Sequence, residues 1–257
     1  MTDGSPAPAD PAGRSQTDVV IDGIKQMIVT GTLNAGSRLP IEKDLAALLG
    51  VSRGSLREGV RALAILGVLE TRQGDGTYVT ALDPRTLLSP LGFLADLQSD
   101  ANAAHLLAVR RVLESESAAL AAITLTDEQL TELHEVLAVV DRILESDPDM
   151  DLEALIEADT SFHRIIARAS GNPALAALIE TLVGRTFRAR LWRAITERRS
   201  VRDTQAEHRA ILDQLVRRDP ERARIRMEVH LLGVEEFRAA HAGEDPEAAV
   251  TVPTPAQ

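Results

Sequence analysis

Apolar residues recur at three- and four-residue spacing through the larger part of the chain, from about Leu91 to His241. This spacing places them along one face of an α-helix, whereas a half-buried β-strand needs strict alternation. The pattern is broken only by short segments with residues typical of helix caps and ends: "TLTDEQ", "ESDPDMD", "ASGNPAL", "RRSVRD" and "RRDPERA". It predicts about six or seven helices of roughly 15 to 25 residues, packed as an all-α bundle.

A different order of elements precedes this region. The boundary between the two is predicted at "TALDPRTLLSP", where Pro84 and Pro90 frame a short connector. The two ends of the chain are rich in Pro, Ala and Gly and have little to bury, which is typical of disordered segments. We therefore divide the chain into a disordered arm (1–16), a first domain (17–80), a linker (81–90), an all-α domain (91–242) and a disordered tail (243–257).

The composition limits the kind of site that the chain can form. Its 257 residues are enough for two modest domains with separate cores, and they include no cysteine. A transition metal would therefore be held by His, Asp and Glu rather than by thiolates. No apolar run approaches the roughly 20 residues that cross a bilayer, and the first residues lack a signal-peptide pattern. We expect a soluble, cytoplasmic protein.

The charge of the chain is unevenly distributed, which matters for a nucleic-acid partner. The net charge is -11, and binding to phosphates depends on Lys and Arg. Residues 17–80, however, carry seven basic and seven acidic side chains, so the whole negative excess lies outside this segment. The acidic balance therefore does not exclude DNA binding by the first domain.

The first domain is predicted to contain two short helices joined by a glycine turn. A helix from about Thr17 to Thr30 precedes a short helix from about Ile41 to Leu49, then Gly50, then a third helix capped by Ser52. Gly suits the left-handed position after a helix and Ser suits the next N-cap, which is the helix-turn-helix pattern. The following "VLETRQGDGTYVT" predicts a β-hairpin wing around its "GDG" turn.

The third helix has one apolar face and one basic face. The apolar face is formed by Leu56, Val60, Leu63 and Ala64. The basic face is formed by Arg53, Arg57 and Arg61. Arginine side chains in a major groove can pair with phosphate oxygens or with guanine edges. On an arbitrary helix such a row would be a solvated surface stripe. After a glycine turn and before a glycine wing, it favours a DNA-recognition helix.

The segment from Gly31 to Val79, "GTLNAGSRLPIEKDLAALLGVSRGSLREGVRALAILGVLETRQGDGTYV", resembles the winged helix-turn-helix of GntR-type bacterial transcription regulators. Its "VSR-x-x-LRE" and "G-x-GT-x-V" patterns occur in the order and spacing of that family. The resemblance implies a DNA-binding surface that comprises Arg38, Lys43, Ser52, Arg53, Ser55 and Arg57, with Gln73 and Gly74 at the wing tip. Two residues depart from the family: Ile41 replaces a small polar residue, and Lys43 replaces an arginine, whose bidentate contact a lysine cannot make.

A carboxylate and an imidazole lie one helical turn apart in "DTSFH". Asp159 and His163 therefore share one helix face, and two further histidines, His208 and His230, lie in helical segments downstream. One carboxylate and three imidazoles would suit Zn, Ni, Fe or Mn and leave open positions. A single histidine on a helix is more often a surface or core residue than a ligand, so the spacing alone leaves both interpretations open.

The second domain is similar to the FCD effector-binding domain of the FadR branch of GntR regulators. The similarity is clearest in "EADTSFHRIIARASGNPAL", "AEHRAILDQLVRRDPERA" and "MEVHL". In many members of that domain an Asp and three His hold a divalent metal, which implies Asp159, His163, His208 and His230 as ligands. We expect zinc, with nickel, manganese or iron as alternatives. The remaining histidines are expected at the surface: His105, His134 and His241.

The resemblance also implies an effector site. The segment "LAVRRVLESESAALAA" is similar to the first helix of the family's domain, which makes Arg110 the effector-binding arginine, or Arg111 if the pairing shifts by one. The alternative role of Arg110 is an ion pair with Glu114 at i, i+4. Further candidates in "GRTFRARLWRA" are Arg188, Arg190 and Trp192. A cation and an arginine would suit a small carboxylate, such as a sugar acid or a hydroxycarboxylate, better than a fatty acyl chain.

The predicted fold is mostly α: a winged helix-turn-helix of three helices and a β-hairpin, followed by an all-α bundle. The predicted function is that of a DNA-binding transcription regulator rather than an enzyme. We expect a homodimer on a two-fold operator, acting as a repressor that its effector releases. One alternative is a metal-dependent hydrolase, although the sequence has no HExxH helix and no carboxylate at a motif-determined place for a general base. Another is a regulator with a purely structural metal.

Overall fold

The computed structural model describes residues 14–96, 100–145, 151–185 and 198–240. The chain divides into two units, Met1–Pro90 and Leu91–Gln257. The predicted disordered arm and tail lie almost wholly outside the described residues, so both stay predictions. Among the described residues, no helix is long and apolar enough to cross a membrane.

The first unit contains three helices and a two-stranded hairpin. The helices are α1 (Gln16–Val29), α2 (Glu42–Leu49) and α3 (Arg53–Ile65), and the antiparallel strands are β1 (Leu69–Arg72) and β2 (Gly76–Val79). Gly50 ends α2 in the left-handed conformation, with φ of 66°. Ser52 then caps α3, because its hydroxyl accepts a hydrogen bond from the backbone N–H of Ser55 at 3.1 Å. The helix-turn-helix geometry therefore follows from two residues at the turn.

The core of the first unit orients α3. Apolar side chains from all three helices and both strands meet in one cluster: Val20, Ile24, Leu33, Leu39, Leu45, Ala46, Leu56, Leu63, Leu69 and Val79. Gly59 lets α1 and α3 approach closely, since a Cβ there would lie 2.5 Å from Cγ1 of Val20. Packing on this face leaves Arg53, Arg57 and Arg61 exposed on the other, as predicted.

The helix α4 (Pro84–Asp96) covers most of the segment that was predicted to be a linker. Pro84 is its first residue, a position where the fixed φ of proline favours a helix start. Pro90 lies inside the helix, at the division between the two units. The segment 81–90 is therefore largely helical, and its role as a linker stays a prediction.

The second unit continues with six helices in the described residues. They are α5 (Asp100–Thr124), α6 (Asp127–Glu145), α7 (Leu152–Ala169), α8 (Pro173–Arg185), α9 (Arg198–Val216) and α10 (Pro220–Ala240). Four of the five predicted breaks coincide with helix ends, whereas the fifth, "RRSVRD" at 198–203, is wrong, because these residues are helical and form the first described turns of α9. Asp151 caps α7 through a hydrogen bond from the N–H of Ala154 at 2.9 Å, and Pro173 and Pro220 each open a helix.

The core of the second unit lies where α5, α6, α7, α9 and α10 pack together. Small residues on α5, namely Ala118, Ala121 and Ala122, allow close packing of larger side chains from the other helices. These larger side chains include Phe162, Ile166, Ile211, Leu215, Met227 and Leu231. The predicted fold class is confirmed: a winged helix-turn-helix with a hairpin wing, followed by an all-α unit.

Candidate metal centre and DNA-binding surface

Three histidines from three helices meet inside the second unit. Ring nitrogens of His163 (α7), His208 (α9) and His230 (α10) all lie within 4.8 Å of one another, and all three side chains are buried. The Nε2 atoms of His208 and His230 are 3.3 Å apart. Oδ1 of Asp159 lies 3.6 Å from Nε2 of His208 and 4.0 Å from Nε2 of His163. The fold therefore brings all four predicted ligands together.

Core packing fixes the orientation of these rings. Phe162, fully buried, stacks on the ring of His208, with centroids 4.3 Å apart and planes 21° apart. The rings of His163 and His230 are 5.3 Å apart and nearly parallel. Phe162 of the "DTSFH" motif thus packs against His208, which lies on a different helix.

Two glutamates hold the outer nitrogens of two of the rings. Nδ1 of His163 contacts the carboxylate of Glu114, and Nδ1 of His230 lies 2.8 Å from Oε2 of Glu207. An imidazole that donates Nδ1–H to a carboxylate presents the lone pair of Nε2 on its other side, which is the common arrangement around protein metals. Sequence reasoning missed both contacts. Glu207 directly precedes His208 in sequence but bonds to His230, so the pairing depends on how two helices pack.

Burial controls the protonation of the centre. It lowers the pKa of His163, and it lowers the pKa of His208 well below its usual range, with the neighbouring His230 adding to the effect. Burial alone would raise the pKa of Glu114, but the charges of Arg110 and His163 and the hydrogen bonds from both side chains together outweigh it and bring that pKa to about 2. At neutral pH the carboxylate is therefore ionised, while His163 and His208 are neutral, the form that binds metals.

The donor set fits a divalent metal. In a tetrahedral site, bonds of about 2.0 to 2.2 Å from a metal to nitrogen and oxygen place neighbouring ligand atoms about 3.3 to 3.6 Å apart. The three distances given above are 3.3, 3.6 and 4.0 Å, and the ring nitrogens of the three histidines all lie within 4.8 Å of one another, so small side-chain shifts would bring the ligand atoms to this spacing. Within the described part of the chain, the buried Nε2 of His163 has no hydrogen-bond partner. The lone pair of this nitrogen is therefore available to a metal ion.

A cavity of ≈ 60 Å³ adjoins the four side chains. Its described lining consists of Arg110, Leu137, Val140, Leu155, Ile156, Ala158, Asp159, His163, Val201, Thr204, Gln205, His208, His230 and Val234. Arg110 is completely buried and forms the ion pair with Glu114 that its spacing predicted. Arg111 points elsewhere, since it pairs with Glu228 and Glu235 of α10 at 3.1 and 2.8 Å.

The remaining candidates of the second domain are exposed or lie outside the residues whose side chains the structure describes. His105 and His134 are exposed, as predicted for surface residues. The other candidates lie outside the residues whose side chains are described: Arg188, Arg190, Trp192 and His241.

Some of the predicted DNA-binding residues line a groove in the first unit. Arg38, Arg57, Gln73 and Gly74 line it together with Glu42, Arg61 and Arg72. Lys43, Ser52 and Arg53 are exposed and Ser55 is half-buried, but none of these four belongs to the described lining. Arg38 packs against the wing, since a Cβ on Gly76 would come within 2.7 Å of its Nε. Glycine leaves room for the arginine in this position and also suits the local φ of 136°.

Two polar contacts at this surface were not predicted. Glu42, the first residue of α2, accepts three hydrogen bonds of 2.8 to 3.1 Å from Nε and Nη2 of Arg57. Gln16 accepts hydrogen bonds from the N–H of Ser52 and the hydroxyl of Ser55, at 3.2 and 3.1 Å, so it ties the start of α1 to the start of α3. Both contacts restrict residues of the predicted DNA-binding set.

Family comparisons match both units. The family described as "Bacterial regulatory proteins, gntR family" matches residues 16–79, and the family described as "FCD domain" matches residues 105–233. The chain belongs to the GntR family of transcription regulators. Its larger part is an FCD domain, and both resemblances noted in the sequence are confirmed.

Individual relatives agree with this assignment. The chain is 33% identical to "Uncharacterized HTH-type transcriptional regulator YcbG" of Bacillus subtilis, over 82% of this chain and 85% of that protein. It is 30% identical to "HTH-type transcriptional repressor NanR" of Klebsiella aerogenes, over 87% and 85% of the two chains. The solved structure of "Streptococcus agalactiae GntR" superimposes with a TM-score of 0.61 at 28% identity, covering 86% of this chain and 99% of that one. These GntR-family relatives are regulators, which confirms that the chain is not an enzyme and removes the hydrolase alternative.

Proposed function

We propose that this GntR-family regulator is a repressor that binds a two-fold operator as a homodimer and is released by a small organic acid. The acid, a sugar acid or a hydroxycarboxylate, binds at a metal ion in the FCD domain. The observation that carries the proposal is the group formed by three buried histidines, His163, His208 and His230, and the half-buried Asp159, which adjoins a cavity that Arg110 also lines. Repression is supported by the "transcriptional repressor" in the name of the NanR relative.

The DNA contacts in this proposal come from the predicted surface of the winged unit. Arg53 and Arg57 on α3 enter the major groove, and the N-terminus of α3 with Ser52 and Ser55 lies against the phosphates. The remaining contacts are made by Arg38, Lys43, Gln73 and Gly74. Exposure of the arginine row and the lining of the groove by Arg38, Arg57 and the wing tip support this assignment.

A fluorescence-anisotropy titration with a duplex from the promoter of its own gene tests the DNA contacts. Arg53→Ala and Arg57→Ala together should weaken binding by at least about tenfold and reduce its salt dependence, since each lost phosphate contact lowers the salt slope by about 0.9. Arg85→Ala, which removes an exposed arginine on α4 that pairs with Asp83, serves as the control. Binding by the double variant that equals the parent's would contradict the proposal.

The metal in this proposal is held by Asp159, His163, His208 and His230, with zinc preferred and nickel, manganese or iron as alternatives. It supplies a cation with exchangeable positions that accept carboxylate and hydroxyl oxygens of the acid. Arg110 neutralises the remaining negative charge from the side of α5, and Glu114 and Glu207 hold the rings in the ligand tautomer.

Metal analysis of purified protein together with a thermal-shift screen separates a sensor from a structural metal. His208→Ala should lose the bound metal, whereas His134→Ala, at an exposed histidine, should retain it. If lactate, gluconate or citrate raises the melting temperature of the metal-loaded protein but not of the stripped protein, the acid binds at the metal. If metal removal lowers the melting temperature and no acid has an effect, the metal is structural and the sensor role is wrong.

The dimer in this proposal uses an exposed apolar stripe on α5 and α10, which pack against each other within the chain. The stripe comprises Val109, Val112, Ile123, Ile225, Val229 and Leu232. Its members on α10 are spaced four and three residues apart and so lie on one helix face. Exposed apolar surface of this kind marks interfaces, and a second copy with the same stripe gives the two-fold symmetry that a two-fold operator needs.

Sedimentation equilibrium tests the dimer. Val229→Glu should convert the dimer to monomer, because two-fold symmetry brings the stripes of both copies into contact. Val216→Glu, at an equally exposed valine on α9 outside the stripe, should remain dimeric. A wild-type protein that sediments as a monomer at micromolar concentration would refute this part of the proposal.

A further inference from the structure

The cavity beside the histidines has two chemically different parts. One part of the described lining is charged or carries imidazole rings: Arg110, Asp159 and the three histidines. Half of the described lining residues are aliphatic. The aliphatic members are Leu137, Val140, Leu155, Ile156, Ala158, Val201 and Val234. Four of them, Val140, Leu155, Ala158 and Val201, also pack in one hydrophobic cluster, so this part of the wall is continuous.

Few groups in the described wall could serve the hydroxyls of a sugar acid. Apart from the metal-binding group and Arg110, the polar lining residues are Thr204 and Gln205. The amide nitrogen of Gln205 already donates to the backbone oxygen of Leu137 and to Oδ1 of Asp141, both at 2.9 Å, so the groups left for a ligand hydroxyl are the buried Oε1 of Gln205 and the side chain of Thr204. A hydroxyl that leaves water for an aliphatic wall loses hydrogen bonds that nothing replaces. The described part of the wall therefore disfavours a polyhydroxylated chain.

The volume of the cavity limits how large an apolar group of the effector it can enclose. A volume of ≈ 60 Å³ holds about four to six groups the size of a water molecule, at roughly 10 to 15 Å³ each. A carboxylate and an adjacent hydroxyl at the metal end use part of this space. What remains of this space fits an aliphatic side chain of a few carbons.

We propose that the effector is a hydroxycarboxylate with a short aliphatic side chain rather than a sugar acid. This inference rests on the proposed acid site and selects one of the two classes of acid considered there. The carboxylate and its neighbouring hydroxyl face the metal-binding group and Arg110, and the alkyl group packs on the wall around Val140 and Val201.

Isothermal titration calorimetry of the full-length, zinc-loaded protein with two series of acids tests the inference. The first series is lactate, 2-hydroxybutanoate and 2-hydroxypentanoate, and the second is threonate and gluconate. Affinity should rise by roughly fourfold per added methylene in the first series until the cavity is full. Threonate should bind more weakly than 2-hydroxybutanoate, which has the same number of carbons but one hydroxyl in place of three.

A matched pair of valine variants locates the selectivity. Val140→Thr keeps the shape of the side chain but adds a hydroxyl to the wall. It should weaken the binding of 2-hydroxypentanoate by about fivefold or more and the binding of lactate by less than about twofold. Val183→Thr makes the same change at a buried valine of α8 outside the described lining and should leave both affinities unchanged. Melting temperatures of both variants verify folding.

The outcomes separate this inference from the proposed function. If threonate or gluconate binds to the zinc-loaded protein as tightly as 2-hydroxybutanoate or more tightly, the aliphatic class is wrong and the acid sensor stands. If no acid of either series binds, the acid sensor itself is wrong. Because the two series are measured on the wild-type protein, a variant that fails to fold does not prevent the test.

Discussion

The ion pair between Glu42 and Arg57 predicts an unusual effect of removing a negative charge at the DNA-binding surface. Glu42 occupies the Nε and Nη2 edge of the Arg57 guanidinium with three hydrogen bonds, and Arg57 lowers the pKa of Glu42 in return. Both side chains are about half exposed, so the pair adds little to folding. Its consequence is that it holds the arginine in one orientation before DNA binds.

Glu42→Gln should strengthen binding to random DNA and weaken the preference for the operator. The released guanidinium can neutralise one more phosphate, which makes the slope of log affinity against log salt steeper by about 0.9. Between about 50 and 200 mM salt, one such contact changes affinity by roughly threefold. A bidentate arginine–guanine contact discriminates between bases by roughly 5- to 150-fold, and part of this preference should be lost once Arg57 is no longer held.

Fluorescence anisotropy with an operator duplex and a scrambled duplex, each at several salt concentrations, measures both effects. Asp44→Asn is the matched control, because it removes the same charge two residues further along α2 without touching Arg57. The reasoning predicts a lower operator-to-scrambled ratio for Glu42→Gln only. An unchanged ratio, or an equal fall for Asp44→Asn, would refute the view that Glu42 orients Arg57.

Three further predictions concern the metal centre and the fold. Glu207→Gln should weaken metal binding by about 10- to 100-fold, because Glu207 orients His230. Competition with a chromogenic chelator measures the metal affinity, and an unchanged affinity would contradict this role of Glu207. Phe162→Ala should lower the free energy of unfolding in urea by about 3 to 5 kcal/mol, since the ring is fully buried; a loss below about 1 kcal/mol would be incompatible with its place in the core. Gly50→Ala should destabilise the fold by about 1 to 2 kcal/mol because of its left-handed backbone, whereas Gly54→Ala inside α3 should stabilise it by about 0.5 to 1 kcal/mol; the same sign for both would exclude this explanation.

Local signals in the sequence were sufficient for the winged unit. Gly50 and Ser52 determine the turn between α2 and α3 through backbone conformation and capping, both of which depend on adjacent residues. The arginine row follows from helical periodicity alone. The two contacts that sequence reasoning missed here, those of Glu42 and Gln16, join residues on different helices, and their pairing depends on the packing of α1, α2 and α3.

The candidate metal centre was only partly predictable from residue spacing. The i, i+4 pair of Asp159 and His163 follows from helix geometry, but the addition of His208 and His230 rested on resemblance to the FCD family. Periodicity gives the approximate phase of each helix and not the crossing of three helices. The contact between Glu207 and His230, and the aliphatic wall around Val140, both depend on those crossings and emerged only from the structure.

The most direct test of the account is whether an acid changes operator binding only when the metal is present. Anisotropy titrations of the operator duplex would use zinc-loaded and metal-stripped protein, each with and without saturating 2-hydroxybutanoate, and with gluconate in parallel. The account predicts that an acid weakens operator binding by about 5- to 150-fold with zinc and has no effect without it, which corresponds to a coupling of about 1 to 3 kcal/mol. Operator affinities that are the same with and without both acids in the zinc-loaded protein would contradict it.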